Sequence, residues 1–256
     1  QTMRSDDILD QFQAKVAPYD VREGNFQGGA INVVLRSGTN KFQGTGFFAY
    51  SSDGLQGTQT GSLTVAVPAY KYRNFGAELS GPIIKDKLFF FANYEKTTYS
   101  GVGTNFGPTD SGATNIVPIT QAQIDEVIAI SRDVWGWDPG TLSLPKALDT
   151  TSEEYALKLD WNINDSHRAS LSWQRTQENQ PIVQGNSATG IGLSSYWYNK
   201  VSKTTNASLH LFDDWTENFS TESSVSYQKF DQVRVPPTPL QPMVTVITGP
   251  NASTGS

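Results

Sequence analysis

The 256 residues hold two histidines and no cysteine, which already removes most of the chemistry a chain of this length could do. His167 and His210 have no partner at metal-ligand spacing, and without thiolates neither a disulfide nor a sulfur-held metal is available. Both histidines are read as polar wall residues. Glu78, Glu95, Asp160 and Glu222 have the right type for acid–base work, but each is assigned to the polar side of an alternating segment, where a carboxylate is an ordinary solvated charge. Gly101-Val102-Gly103 lacks the strand–turn–helix setting of a phosphate loop. The matches to the glycosylation pattern at Asn206, Asn218 and Asn251 carry no information. The reading is therefore of a non-enzyme with no cofactor and no metal. What remains is binding: Trp135, Trp137, Tyr196, Trp197 and Tyr198 lie in long connections, where aromatic faces could stack on a ligand.

The elements that would hold these residues announce themselves by turn length. Lys85-Asp86-Lys87, Asn162-Ile163-Asn164-Asp165 and Thr216-Glu217-Asn218 are tight and polar, whereas the connections between them are expected over 51–70, 100–152 and 177–200. Short turns on one side and long loops on the other are the habit of a bacterial outer-membrane barrel. Side-chain alternation agrees. Tyr155, Leu157, Leu159 and Trp161 oppose Ala156, Lys158, Asp160 and Asn162, and Ala169, Leu171 and Trp173 oppose Ser170, Ser172 and Gln174. The same rule over 42–50, 73–81, 88–95, 206–211 and 224–228 gives seven strands of roughly ten residues, the length that crosses a bilayer at a tilt. Leu157, Leu159, Leu171, Leu209 and Leu211 should then face lipid, and Lys158, Asp160, Ser170, Ser172 and Ser208 should point inward.

Composition fits. Charged residues are 17% of the chain against roughly 25% in soluble domains, and the net charge of −6 with no basic cluster argues against nucleic acid. No apolar run approaches a membrane helix; the densest is Leu88-Phe89-Phe90-Phe91-Ala92. Tyr50, Tyr94, Trp161, Trp173 and Trp215 fall near strand ends, the headgroup level that amphipathic rings favour. One helix is expected, from the capping box Thr120-x-x-Gln123 through Ile124, Val127, Ile128, Ser131 and Trp135 to Gly136, as a small element folded over its own loop.

Residues 1–40 break the barrel rule, running through Gly28-Gly29-Ala30-Ile31-Asn32-Val33-Val34-Leu35 into the turn residues Arg36-Ser37-Gly38-Thr39-Asn40. They read as a separate small element. This junction, with Tyr19-Asp20-Val21-Arg22-Glu23-Gly24 before it and Lys41-Phe42-Gln43-Gly44 after it, resembles the end of the plug and the start of the barrel in TonB-dependent outer-membrane receptors, the Oar-like subgroup above all. Asn74 through Glu95 is similar to that subgroup's next hairpin.

The resemblance implies an all-β fold: the C-terminal part of a plug domain over 1–40, then the first strands and extracellular loops of an antiparallel transmembrane β-barrel over 41–256. Because such barrels have about 22 strands, seven would be a portion. A longer chain is also expected from the start at Gln1 without a signal peptide and the stop at Ser256. Implied function is uptake of an extracellular ligand, a peptide, protein or glycan rather than a small chelate, energised by the inner-membrane TonB complex, with outer-membrane lipid as the surrounding partner. Gly28, Gly29, Asn32, Arg36, Ser37, Gly38, Thr39 and Asn40 form the junction motif. Glu78, Glu95 and Asp160 become candidate docking carboxylates for the plug, with Glu95 or Asp160 expected to meet Arg36. The rival readings are a secreted β-sandwich adhesin or glycan-binding module, and a passive or structural outer-membrane barrel.

Overall fold

A computed structural model describes residues 9–15, 30–64, 67–101, 106–142, 148–237 and 244–247. Two strands, β1 (Leu9–Lys15) and β2 (Ala30–Leu35), pair antiparallel as an amino-terminal unit. Seven more build a second sheet: β3 (Gln43–Ser52), β4 (Tyr70–Ile84), β5 (Leu88–Gly101), β6 (Leu148–Asn162), β7 (His167–Ile182), β8 (Tyr198–Thr216) and β9 (Phe219–Val235). Every strand pairs with its chain neighbour, antiparallel throughout, in the order β9-β8-β7-β6-β5-β4-β3. This is an open meander: a partial antiparallel barrel wall.

The three short turns lie together at one end of the sheet. At the first, Lys87 N–H returns to Ile84 C=O at 3.1 Å, and Asp86 takes the left-handed conformation (φ 63°) that short acids tolerate. At the second, Ser166 N–H donates to Asn164 Oδ1 at 2.9 Å, a side chain standing in for a backbone turn. Long connections occupy the other end.

Register turns the alternation into two faces. Cross-strand rows on the outer face read Phe90, Leu159, Leu171, Leu209, Val225, then Ala92, Leu157, Trp173, Ala207, Tyr227. On the inner face they read Phe91, Lys158, Ser172, Ser208, Ser226, and Phe89, Asp160, Ser170, His210, Ser224. A band from Tyr155 to Ile163 carries large apolar side chains that are exposed on the outer face, about the length a tilted strand uses to cross hydrocarbon. Aromatic rings bracket it. Phe75, Tyr94 and Tyr155 cluster at the loop end, with Tyr94 and Tyr155 centroids 5.0 Å apart, and Trp161 and Trp215 stand at the turn end, Trp215 donating to Thr221 Oγ1 at 2.9 Å.

Strand length corrects the expectation of about ten residues, since the strands run from 10 to 19. The long connections are correspondingly shorter than expected, the last spanning only the residues between Ile182 and Tyr198. The extra residues lie beyond the apolar band, where rows such as Arg73, Thr98, Thr151 are polar on the outer face as well. In water above a bilayer nothing enforces alternation, so the ladder continues without the pattern that reveals it.

The expected helix is α1 (Gln121–Asp133), with both arms of its capping box in place: Gln123 N–H donates to Thr120 Oγ1 at 3.3 Å and Thr120 N–H to Gln123 Oε1 at 2.9 Å. It buries Ile124 and Ser131, while the expected facing residue Trp135 is 76% exposed just past its end.

Candidate functional site

The segment between β2 and β3 is fastened to the inner face of the wall at three heights. Leu35 joins Phe91 and Ala156 in a buried apolar cluster, Phe91 being 2% exposed and Ala156 fully covered. Beside it, Lys158 Nζ donates to Leu35 C=O at 3.1 Å and Ser37 Oγ at 2.7 Å. Arg36 Nη1 meets Glu78 Oε1 at 3.3 Å. Gly38 passes so near β4 and β5 that an added Cβ would collide with the carbonyl oxygens of Phe90 and Gly81. Thr39 closes a local turn by accepting from Lys41 N–H at 3.3 Å. At the lowest point Asn40 and the first turn grip each other, Asn40 Nδ2 donating to Asp86 Oδ1 at 2.6 Å and Asp86 N–H to Asn40 Oδ1 at 2.8 Å.

Of the carboxylates expected against Arg36, the structure selects Glu78 over Glu95 and Asp160. Glu78 lies opposite Thr45 on the strand that Arg36 leads into, so the chain needs little travel to bring the two together. Asp160 is held by Lys158 at 3.5 Å and Ser170 Oγ at 2.8 Å, and Glu95 accepts from Asn74 Nδ2 at 2.8 Å. Gly28 and Gly29 lie outside the described residues; Asn32 stands opposite Gln13 in the β1–β2 ladder. Glu222 lies on the inner face opposite Phe212.

His210 takes its inner-face position opposite Ser170. His167 has a partner that spacing along the chain conceals: Asp213, its opposite number on β8, sits 2.7 Å from Nδ1, and Trp215 packs edge-on to the imidazole at 5.0 Å. Only the register reveals this pair. No group of three or more potential metal ligands occurs among the described residues.

At the far end the long loops are stitched together. Ser194 N–H donates to Thr141 C=O at 2.9 Å, Ser195 N–H to Pro139 C=O at 3.3 Å, and Thr141 N–H to Ser194 Oγ at 3.0 Å. Asp138 shapes the approach by accepting from Gly140 N–H at 2.9 Å and Arg132 Nη2 at 2.8 Å. Around this clasp lie the candidate ligand aromatics. Trp135 and Tyr196 are exposed, Trp137 and Trp197 hold buried indole N–H groups without an acceptor among the described residues, and Tyr198 stacks beneath Arg234 at 4.9 Å.

The Gly140 amide first, and the Arg132 guanidinium second, hold the Asp138 carboxyl below its ordinary 3.8. A carboxyl whose folded value is depressed contributes fully above its unfolded value and loses that contribution as pH falls through the folded one. Protection of the Ser194 and Ser195 amides, measured by hydrogen exchange corrected for intrinsic rates, should therefore drop as pH falls below 3.8. Asp138→Asn should lower protection at neutral pH and flatten the profile. A wild-type profile flat through this range would show that Asp138 does not brace the clasp.

An open antiparallel wall with an apolar outer band, aromatic rims, short turns at one end and long loops at the other defines an outer-membrane β-barrel wall. In agreement, residues 34–123 match the family described as an outer membrane beta barrel domain. The compartment is the bacterial outer membrane, and the family is not one of enzymes. At the level of single proteins, the chain is similar to the TonB-dependent transporter Oar of Myxococcus xanthus, 33% identical over 162 residues that cover 60% of this chain and 14% of that relative. The chain thus spans about one seventh of the length of the relative it matches. No solved structure matches it.

Proposed function

We propose that residues 1–40 are the C-terminal part of a plug and 41–256 the first seven strands and outer loops of the barrel of a TonB-energised transporter. One observation carries this reading: a segment that is not wall, 35–40, is docked on the inner face by Lys158, Arg36–Glu78 and Asn40–Asp86. Polar contacts to a water-lined wall exchange readily for water, so such an element can be held at rest and displaced under load. A passive pore has no use for one. The similarity to a TonB-dependent transporter points to the same energy source.

The ligand enters from the loop end. Trp135 and Tyr196 offer exposed ring faces, which suit a peptide, protein or glycan better than a compact chelate. The inner wall supplies a polar path and no bond chemistry. In cells carrying the intact protein, deletion of the TonB partner should abolish uptake while surface binding of the ligand persists. Unchanged uptake would assign the protein to the passive pores.

A further inference from the structure

At the loop-side edge of the apolar band, Arg175 and Lys229 level with Tyr155 and Lys203 one row beyond, three cations converge on the lipid-facing wall. Register places Arg175 opposite Thr205 and Thr205 opposite Lys229, with Lys203 two residues from Thr205 on the same face. Diagonal neighbours in such a ladder stand about 7–8 Å apart, so Lys203 is flanked by both other cations. All three are exposed. One carboxylate faces them, Asp231, opposite Lys203 and paired with Lys229 at 2.8 Å. The next acid along the row, Glu153, is occupied by Lys96 at 2.6 Å, and the intervening Gln177 is neutral. Three positive charges against one negative leave a surplus of two.

The position of this surplus is informative. The row beneath is Trp173, Ala207, Tyr227, and beneath that Leu171, Leu209, Val225, all on the hydrocarbon side. A group that satisfies both levels carries an anion on top of acyl chains. We propose that Arg175, Lys203 and Lys229 bind the phosphate of a phosphorylated lipid headgroup in the outer leaflet, its chains lying against Trp173 and Leu209. The planar guanidinium of Arg175 suits a phosphate held by two oxygens, and the lysines add point charges from the adjoining strands. Short turns at the opposite end put the cluster on the extracellular side of the bilayer. The proposal rests on the barrel wall and is independent of what the protein transports.

The test uses the intact protein extracted from outer membranes and exchanged into lipid-free detergent, with retained lipid counted by native mass spectrometry and affinity measured by titrating phosphorylated lipid back. Lys203→Gln should weaken binding roughly fivefold, and Arg175→Gln, Lys203→Gln and Lys229→Gln together on the order of a hundredfold. Lys203→Arg should retain it. Heat-modifiable gel migration checks that each barrel is folded, and if the triple variant does not fold the single variant carries the comparison. Lipid stripped of phosphate should bind wild type no better than intact lipid binds the triple variant. Equal binding by wild type and the folded variants overturns the proposal, as does binding indifferent to the lipid's phosphate. Inorganic phosphate competing as well as the lipid would make this a free-anion site and overturn the lipid assignment.

Discussion

Leu159→Arg is expected to destabilise the barrel by about 2–4 kcal/mol, the cost of a cation near mid-bilayer on the lipid face. Leu159 stands opposite Phe90 on one side and Leu171 on the other, in the middle of the outer band. A guanidinium there has neither water nor a carboxylate in its own row. Chemical unfolding in detergent or lipid should show a lowered midpoint, and Leu159→Ala should lose much less. An arginine variant as stable as wild type would mean that this face does not meet hydrocarbon and that the register has been read onto the wrong side.

One residue earlier, the opposite experiment has the opposite logic. Lys158→Met makes the inner wall more apolar, yet it should loosen the segment ahead of β3, because Lys158 Nζ is shared by Leu35 C=O, Ser37 Oγ and Asp160. Hydrogen bonds to a charged group contribute about 1.5–3 kcal/mol each. Losing two of them, about 3–6 kcal/mol, should raise the open population of the segment by at least about a hundredfold, since about 1.4 kcal/mol is a factor of ten. The chain has no cysteine, so Leu35→Cys, whose side chain is buried beside Phe91 and Ala156 and whose backbone C=O still accepts from Lys158, gives a single reporter against a silent background. Its maleimide labelling should accelerate in the methionine variant and stay slow in Lys158→Arg. Equal rates in all three would remove the lysine from the fastening.

Much of this architecture is legible in the amino-acid sequence. Hydrocarbon demands an apolar side chain at every second position, and Tyr155 to Asn162 states that demand plainly; tight turns such as Lys85-Asp86-Lys87 need polar, left-handed-tolerant residues and also stand out. Legibility ends where the solvent stops discriminating. Above the band both faces are wet, so strand residues such as Thr97 and Thr98 look like loop. Side-chain pairing was legible only to the level of type. That Arg36 needs a carboxylate follows from physics, but the choice of Glu78 depends on the register of β3 against β4. The clasp of Pro139–Thr141 with Ser194–Ser195 rests largely on backbone groups, which every residue carries, so no residue type could have signalled it.

The stretch from Arg36 to Phe42 has one more property, its length. Between the end of β2 at Leu35 and the start of β3 at Gln43, seven residues can extend to about 24 Å at most. If the contacts to Lys158 and Glu78 give way while Asn40 keeps its grip on Asp86, only the upper part of that leash pays out. A force applied from the amino-terminal side would then break the contacts in sequence, Leu35 and Ser37 before Asn40, as a peel and not as a single rupture. The hairpin would remain moored to the turn end of the wall, within reach of the same contacts when the force ends.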